Sequence, residues 1–422
     1  MSLIELRYQG KGTYMQRVYM PQLDGIRFFA FFLVFIHHTK TASLFYPTDS
    51  LPSRVLKFLH DFGWVGVDLF LVLSGFLITT LLLLEHENFG RISLRDFYIR
   101  RTLRIWPLYY LILIVGFVIL PLIPIFAESF GSAPHTNLIN KYLVPYLTFF
   151  GNFAVGNYGF PRVWTLAHLW TIGLEEQFYI VWPALLILLL KLKRQSLVIV
   201  TLGLFLATSI ALRWHYYDLI RHPFIWASTH TRLDPLVLGV FLAIIRRKYP
   251  NPSGGIIAFG KFVLGVTLVA CIGLVTNVIH QSIHVVWQYT ATAIGFTLII
   301  DSSLAKTGNP LQSFLSQAWL VWLGKLTYGL YMYHLLCIQV VRLLSVKYIW
   351  YIGPILGITS DSTMWIASFL VSLTLTVAVS AFSYTLIESY FLRLKGRFAH
   401  IVSRPLDQKT ENLVASPKSN EA

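Results

Sequence analysis

Arg27 and His38 stand eleven residues apart in the stretch Leu23 to His38, which is otherwise mostly apolar and aromatic. At ~100° per residue, eleven positions make about three helical turns. Both side chains therefore leave one helix face, about 16 Å apart along the axis. Asp24 lies one turn before Arg27 on the same stripe. Ionisable groups inside an apolar helix are costly to bury, so they usually face a polar interior and mark a site. An imidazole there can act as a base or a nucleophile, and a guanidinium can hold an acidic ligand group or a carboxylate. The plainer readings are a histidine hydrogen-bonded to a neighbouring helix and a structural Asp24–Arg27 pair.

Further clusters have usable spacing. Asp68 is a carboxylate early in the apolar run Gly66 to Thr79, where it could contact substrate or hold helices together; Ser74-Gly75 in the same run is a small pair that admits a close helix crossing. Arg100, Arg101 and Arg104 precede the next apolar run, and Arg101 and Arg104 share a helix face. Arginine binds phosphate bidentately and stays charged, so this group suits a phosphate-bearing ligand; a bare topology signal is the alternative for at least one of the three. His168, Thr171 and Glu175 follow at spacings of one and two turns, with Glu176 expected to be a solvated neighbour. Late in the chain come Tyr328-Gly329-Leu330-Tyr331-Met332-Tyr333-His334 and Ile387-Glu388.

The elements that must position these groups are membrane helices. The 422 residues are 55% hydrophobic and 13% charged, with a formal charge of +15 and a mean hydropathy of +0.62. Repeated apolar runs near spanning length exclude an ordinary soluble domain. The basic residues gather in loops between those runs, which reads as topology rather than nucleic-acid binding. Cys271 and Cys337 both lie in apolar runs without metal-ligand spacing, as packing residues do, and no metal site is expected among the histidines.

Ten spans are expected, near 22–40, 63–84, 104–125, 168–190, 196–213, 233–247, 258–279, 285–301, 319–344 and 364–391. The first is read as a retained span rather than a cleaved leader. With the N-terminus inside, the inner segments hold 22 Lys and Arg and the outer loops 9, so both termini are expected to be cytoplasmic. The domain division is 1–21 as an N-terminal segment, 22–395 as the transmembrane unit and 396–422 as a polar tail, expected to be disordered from about 402. The outer segment 126–167 contains an apolar run, Tyr142 to Phe153, that could dip into the membrane or lie on it.

Together these motifs resemble the acyltransferase-3 family, integral-membrane O-acyltransferases that decorate bacterial surface glycans and some small molecules. The resemblance runs over about 22–395. It rests on Arg27 and His38, on Gly66 to Phe76, on Arg100-Arg101 with Arg104, on His168 to Tyr179 and on Tyr328 to His334, in family order. Thr171 stands where the family usually has Ser, and Tyr390 where a proline commonly follows the last Ile-Glu.

The resemblance implies an all-α polytopic enzyme of the bacterial inner membrane, of the type without an appended esterase-like domain. It would move an acyl group, in the first place acetyl, from acyl-coenzyme A to a hydroxyl of a carbohydrate or glycolipid. It implies catalytic His38 with Arg27 and Glu175, donor binding by Arg100, Arg101 and Arg104, and substrate contact by Asp68, His168 and Thr171. No tightly bound cofactor and no nucleic-acid partner are expected. An acyltransferase acting on a small molecule or lipid is the near alternative. A polytopic transporter, with Arg, His and Glu forming a substrate or proton path, is the alternative from another class.

Overall fold

The computed structural model describes residues 8–10, 13–15, 19–39, 51–129, 135–219, 222–249, 255–276, 283–305, 309–344, 361–399 and 401. Among the described residues the regular structure is helical apart from a short antiparallel hairpin, Tyr8–Gly10 with Thr13–Met15. The long helices are α1 Pro21–His38, α2 Leu51–Phe62, α3 Gly66–Phe89, α4 Leu94–Ile114, α5 Trp170–Lys191, α6 Gln195–Tyr216, α7 Asp234–Lys248, α8 Gly255–Thr276, α9 Gln288–Ser303, α10 Ala318–Leu344 and α11 Asp361–Ser383. The tail expected to be disordered lies outside the described residues.

Among the described residues, six helical segments are long and apolar enough to cross a membrane: Arg54–Phe89, Leu94–Leu122, Trp164–Lys191, Ser196–Tyr216, Gly255–Val275 and Ile366–Gly396. The other four expected spans are also helices, namely α1, α7, α9 and α10. They are shorter or carry ionisable groups, such as Asp24 and Arg27 in α1 and Lys325 and Arg342 in α10. Of these, α1 buries Ala30, Phe31, Val34 and Phe35, packing between α3 and α10.

Small residues set the closest crossings. A Cβ on Gly75 of α3 would collide with the Leu236 carbonyl of α7, and one on Gly239 of α7 with the Val72 carbonyl of α3. This is the close approach that Ser74-Gly75 signals. At the other side of α1, Gly324 of α10 lies against the backbone of Asp24.

Polar ties fix the register. Trp182 on α5 donates to Thr79 Oγ1 on α3 at 2.8 Å. Arg213 at the end of α6 forms a buried fork on Asp234 of α7 at 2.5 and 2.9 Å, and reaches Thr290 of α9 at 2.9 Å. Such pairs add little net stability, but breaking one leaves a lone buried charge.

The turn into α4 is built from local chemistry. Gly90 ends α3 at φ +68°, a left-handed position that glycine occupies without strain. Ser93 caps α4, its hydroxyl oxygen accepting from the Asp96 N–H. Glu85 of α3 accepts the Ser93 N–H at 2.8 Å. This turn presents the arginine cluster to the interior of the bundle. The segment Tyr142 to Phe153 forms short helices that pack against α4 and α5: Tyr109 donates to the Tyr146 carbonyl at 2.7 Å, and Gln177 to the Phe149 carbonyl at 2.8 Å.

Candidate active site

Three histidines from three parts of the chain converge. His38 closes α1, His168 lies just before α5, and His334 sits midway along α10. His334 Nε2 is 3.1 Å from His38 Nδ1, and the ring of His168 is 4.8 Å from that of His334. His168 is buried, and neither of its ring nitrogens has a hydrogen-bond partner among the described residues. Buried polar groups are normally satisfied, so such an atom calls for a partner such as a substrate hydroxyl or water. His37 points elsewhere, with Nδ1 2.7 Å from the His60 carbonyl oxygen of α2.

Tyr331 stands beside this cluster. Its hydroxyl lies 2.7 Å from Thr171 Oγ1 and donates to the His168 carbonyl at 3.2 Å. Its ring contacts those of Phe70, His168 and His334. Tyr331, Thr171 and Phe70 also line a cavity of about 610 Å³. His38 and His168 are not among its lining residues; Tyr331 both lines the cavity and touches the rings of His168 and His334.

At the opposite end the cavity is cationic. Arg27, Arg100, Arg101, Arg104, Arg393 and Lys395 line it. The Asp24–Arg27 pair exists, at 2.6 Å, and Asp24 also accepts from Tyr19 at 3.1 Å. The three clustered arginines differ in their commitments. Arg100 donates to the Phe398 carbonyl at 2.7 Å and to Glu85 at 3.0 Å, so it braces the chain. Arg101 lies between the rings of Phe97 and Tyr179, with its Cζ 5.5 and 5.3 Å from their centroids. Its buried Nε has no hydrogen-bond partner among the described residues. Aromatic faces hold a guanidinium without neutralising it, which leaves Arg101 suited to an anionic ligand.

Glu175 faces the same cavity. Ser74 donates to its Oε1 at 2.9 Å and Tyr179 to its Oε2 at 3.1 Å, so the carboxylate is held by two hydroxyls. Glu388 lies in the wall too, within the π-turn Tyr384–Glu388; such turns are frequent at functional sites.

One expectation needs correction. Glu176 is not solvated. It is 5% exposed and accepts from Trp106 Nε1 of α4 at 3.4 Å, because α4 packs against its side of α5. Asp68 is outside the cavity wall. It is fully buried and paired with Arg232, whose Cζ sits 3.9 Å above the Tyr289 ring. Of the two roles open to Asp68, this placement favours holding helices together.

Sequence spacing missed Arg232, whose partner is 164 residues away. Tyr331 stood in the quoted Tyr328 to His334 stretch, three positions before His334, but was given no role there.

A family profile described as an acyltransferase domain matches residues 20–385. A Staphylococcus aureus protein named "Putative O-acetyltransferase" is 27% identical over 390 residues, covering 91% of this chain and 59% of that protein. The peptidoglycan O-acetyltransferase OatA of Listeria monocytogenes is 26% identical over 388 residues, covering 88% of this chain and 56% of that protein. The chain thus spans little more than half the length of these relatives. No solved structure matches.

Proposed function

This chain belongs to the acyltransferase domain family, and we propose that it is an O-acetyltransferase that moves an acetyl group from acetyl-coenzyme A to a hydroxyl of a cell-surface glycan. That it is an acyltransferase and a multi-pass membrane protein follows from the family and from the helices described above. The donor, the acceptor and the plasma-membrane location are our reading. So is the topology, with ten crossings and both termini cytoplasmic, supported by the lysine and arginine asymmetry.

The observation that carries the proposal is one cavity of about 610 Å³ with arginines at one end and Thr171 and Tyr331 at the other, against the histidine cluster. The phosphates of coenzyme A suit the arginine end, where Arg101 offers an uncommitted guanidinium and Arg104 lies one turn on. The pantetheine arm is apolar enough to follow the wall of Leu73, Leu77 and Ile78 toward Tyr331. The thioester then comes up against the residues that flank His38.

On this reading the acceptor hydroxyl enters from the histidine side. His38 takes its proton as the oxygen attacks the thioester carbonyl, a role that suits an imidazole. The carbon–sulfur bond breaks, and the proton passes to the departing thiolate. In the alternative of a transient acyl-histidine, the His38 ring nitrogen attacks the thioester and the thiolate leaves; the acceptor oxygen then takes the acetyl group as the nitrogen–carbon bond breaks, and its proton goes to the thiolate. His168, with both ring nitrogens unengaged, is placed to hold the hydroxyl. Glu175 keeps Tyr179 and Ser74 in place beside Arg101.

The name of the Listeria relative makes peptidoglycan the first acceptor to examine. Mass spectrometry of surface glycans from a strain lacking the gene tests the proposal. Loss of O-acetyl groups, restored by the gene, is expected. An unchanged O-acetyl profile across the glycans would refute it.

A further inference from the structure

Both ring nitrogens of His334 are engaged, and their partners dictate where the hydrogens lie. Nδ1 is 2.6 Å from the carbonyl oxygen of Tyr331. A carbonyl only accepts, so Nδ1 of His334 carries the hydrogen. In a neutral imidazole the other nitrogen is then an acceptor. Nε2 of His334, 3.1 Å from His38 Nδ1, must therefore receive an N–H from His38. No carboxylate pairs with either ring among the described residues, so no ion pair holds either as an imidazolium.

We propose that His334 is a positioning residue that fixes His38 in the tautomer protonated on Nδ1, leaving Nε2 as the nitrogen that takes the acceptor's proton. This rests on the reading of His38 as the base. Which nitrogen of a histidine is basic is set by the hydrogen bond the other makes. Here the order runs from the Tyr331 carbonyl through His334 to His38 Nδ1. Nε2 takes the hydroxyl hydrogen as the oxygen–carbon bond forms, and returns it to the thiolate once the carbon–sulfur bond has broken. The hydrogen on Nδ1 stays in place throughout. While His38 is briefly cationic, the bond it donates to His334 becomes charge-assisted and stronger. Tyr331 anchors both ends, since its hydroxyl ties α10 to Thr171 and the His168 carbonyl while its own carbonyl orients His334.

The test uses His334→Gln and His334→Leu in the full chain, with nitrogen-15 labelled histidine. The glutamine amide can donate to the Tyr331 carbonyl and accept from His38; leucine can do neither. Nitrogen NMR of the purified protein, with His38 assigned from its absence in His38→Gln, should show His38 protonated on Nδ1 in the wild type and in His334→Gln. In His334→Leu the proton should shift toward Nε2. Turnover should stay within roughly tenfold of wild type in the glutamine variant and fall by roughly a hundredfold in the leucine variant, with an unchanged KM for acetyl-coenzyme A. A wild-type His38 protonated on Nε2 overturns the proposal, as does a leucine variant with unaltered tautomer and turnover. The spectrum reports the tautomer whether or not His38 is the base. The separate test of the base is the loss of transfer in His38→Ala.

Discussion

Replacing Arg101 by lysine should weaken acetyl-coenzyme A binding while leaving insertion intact. Lysine keeps the positive charge, and with it the topology signal. It loses the planar fork and the stacking between Phe97 and Tyr179 that now holds the guanidinium. No described carboxylate or carbonyl accepts from Arg101 Nε, so the substitution strands no protein group there. What is lost is contact with the ligand. One charge-assisted hydrogen bond together with misplaced charge is worth ~1–3 kcal/mol, which raises Kd by roughly 5- to 150-fold. Arg100→Lys is the contrast: it gives up the Phe398 carbonyl and Glu85, so stability should suffer more than affinity. Calorimetry on the purified variants in detergent, repeated at two salt concentrations, reads both effects, and binding should weaken as salt screens the contact. Unchanged affinity in Arg101→Lys, with Arg101→Ala failing only to insert, would show that the cluster sets topology and does not hold the donor.

Asp68→Asn should lower folded yield and leave the KM for the donor unchanged. It removes the counter-charge of the fully buried Arg232, a loss of ~3–5 kcal/mol; thermal unfolding in detergent measures it, and a stable variant with a raised KM would return Asp68 to the substrate site. Gly75→Leu should abolish assembly, because the Leu236 carbonyl occupies the space of its Cβ; normal membrane expression would contradict the crossing. Reporter fusions after residues 90, 193, 253 and 400 should signal cytoplasm, and fusions near 50, 135, 220 and 355 the outside. An outside signal at 90 would remove the arginine cluster from the reach of cytoplasmic coenzyme A.

Helical spacing revealed what one helix can reveal. The Asp24–Arg27 pair and the crossing at Ser74-Gly75 both depend on a single element's period, and both are present in the fold. Ranking within a cluster was beyond it. Arg100 and Arg101 differ by one position, yet Arg100 is committed to Phe398, 298 residues away, and Arg101 to two aromatic faces. Glu176 reads as solvated only if its side of α5 faces water, and Trp106, 70 residues earlier, covers that side. Asp68 looks available until Arg232 arrives from before α7. These are non-local pairings, which a period cannot carry. The histidine cluster lies between the two cases: each histidine was visible, but their meeting depends on how α1, α5 and α10 pack.

The most direct measurement is transfer of labelled acetyl from acetyl-coenzyme A to a glycan acceptor in membrane vesicles, comparing wild type with His38→Ala and His37→Ala. His38→Ala should insert normally and transfer nothing, while His37→Ala, whose ring is held by the His60 carbonyl instead, should keep much of the activity. Transfer by the His38 variant, or equal loss in both, would contradict the account.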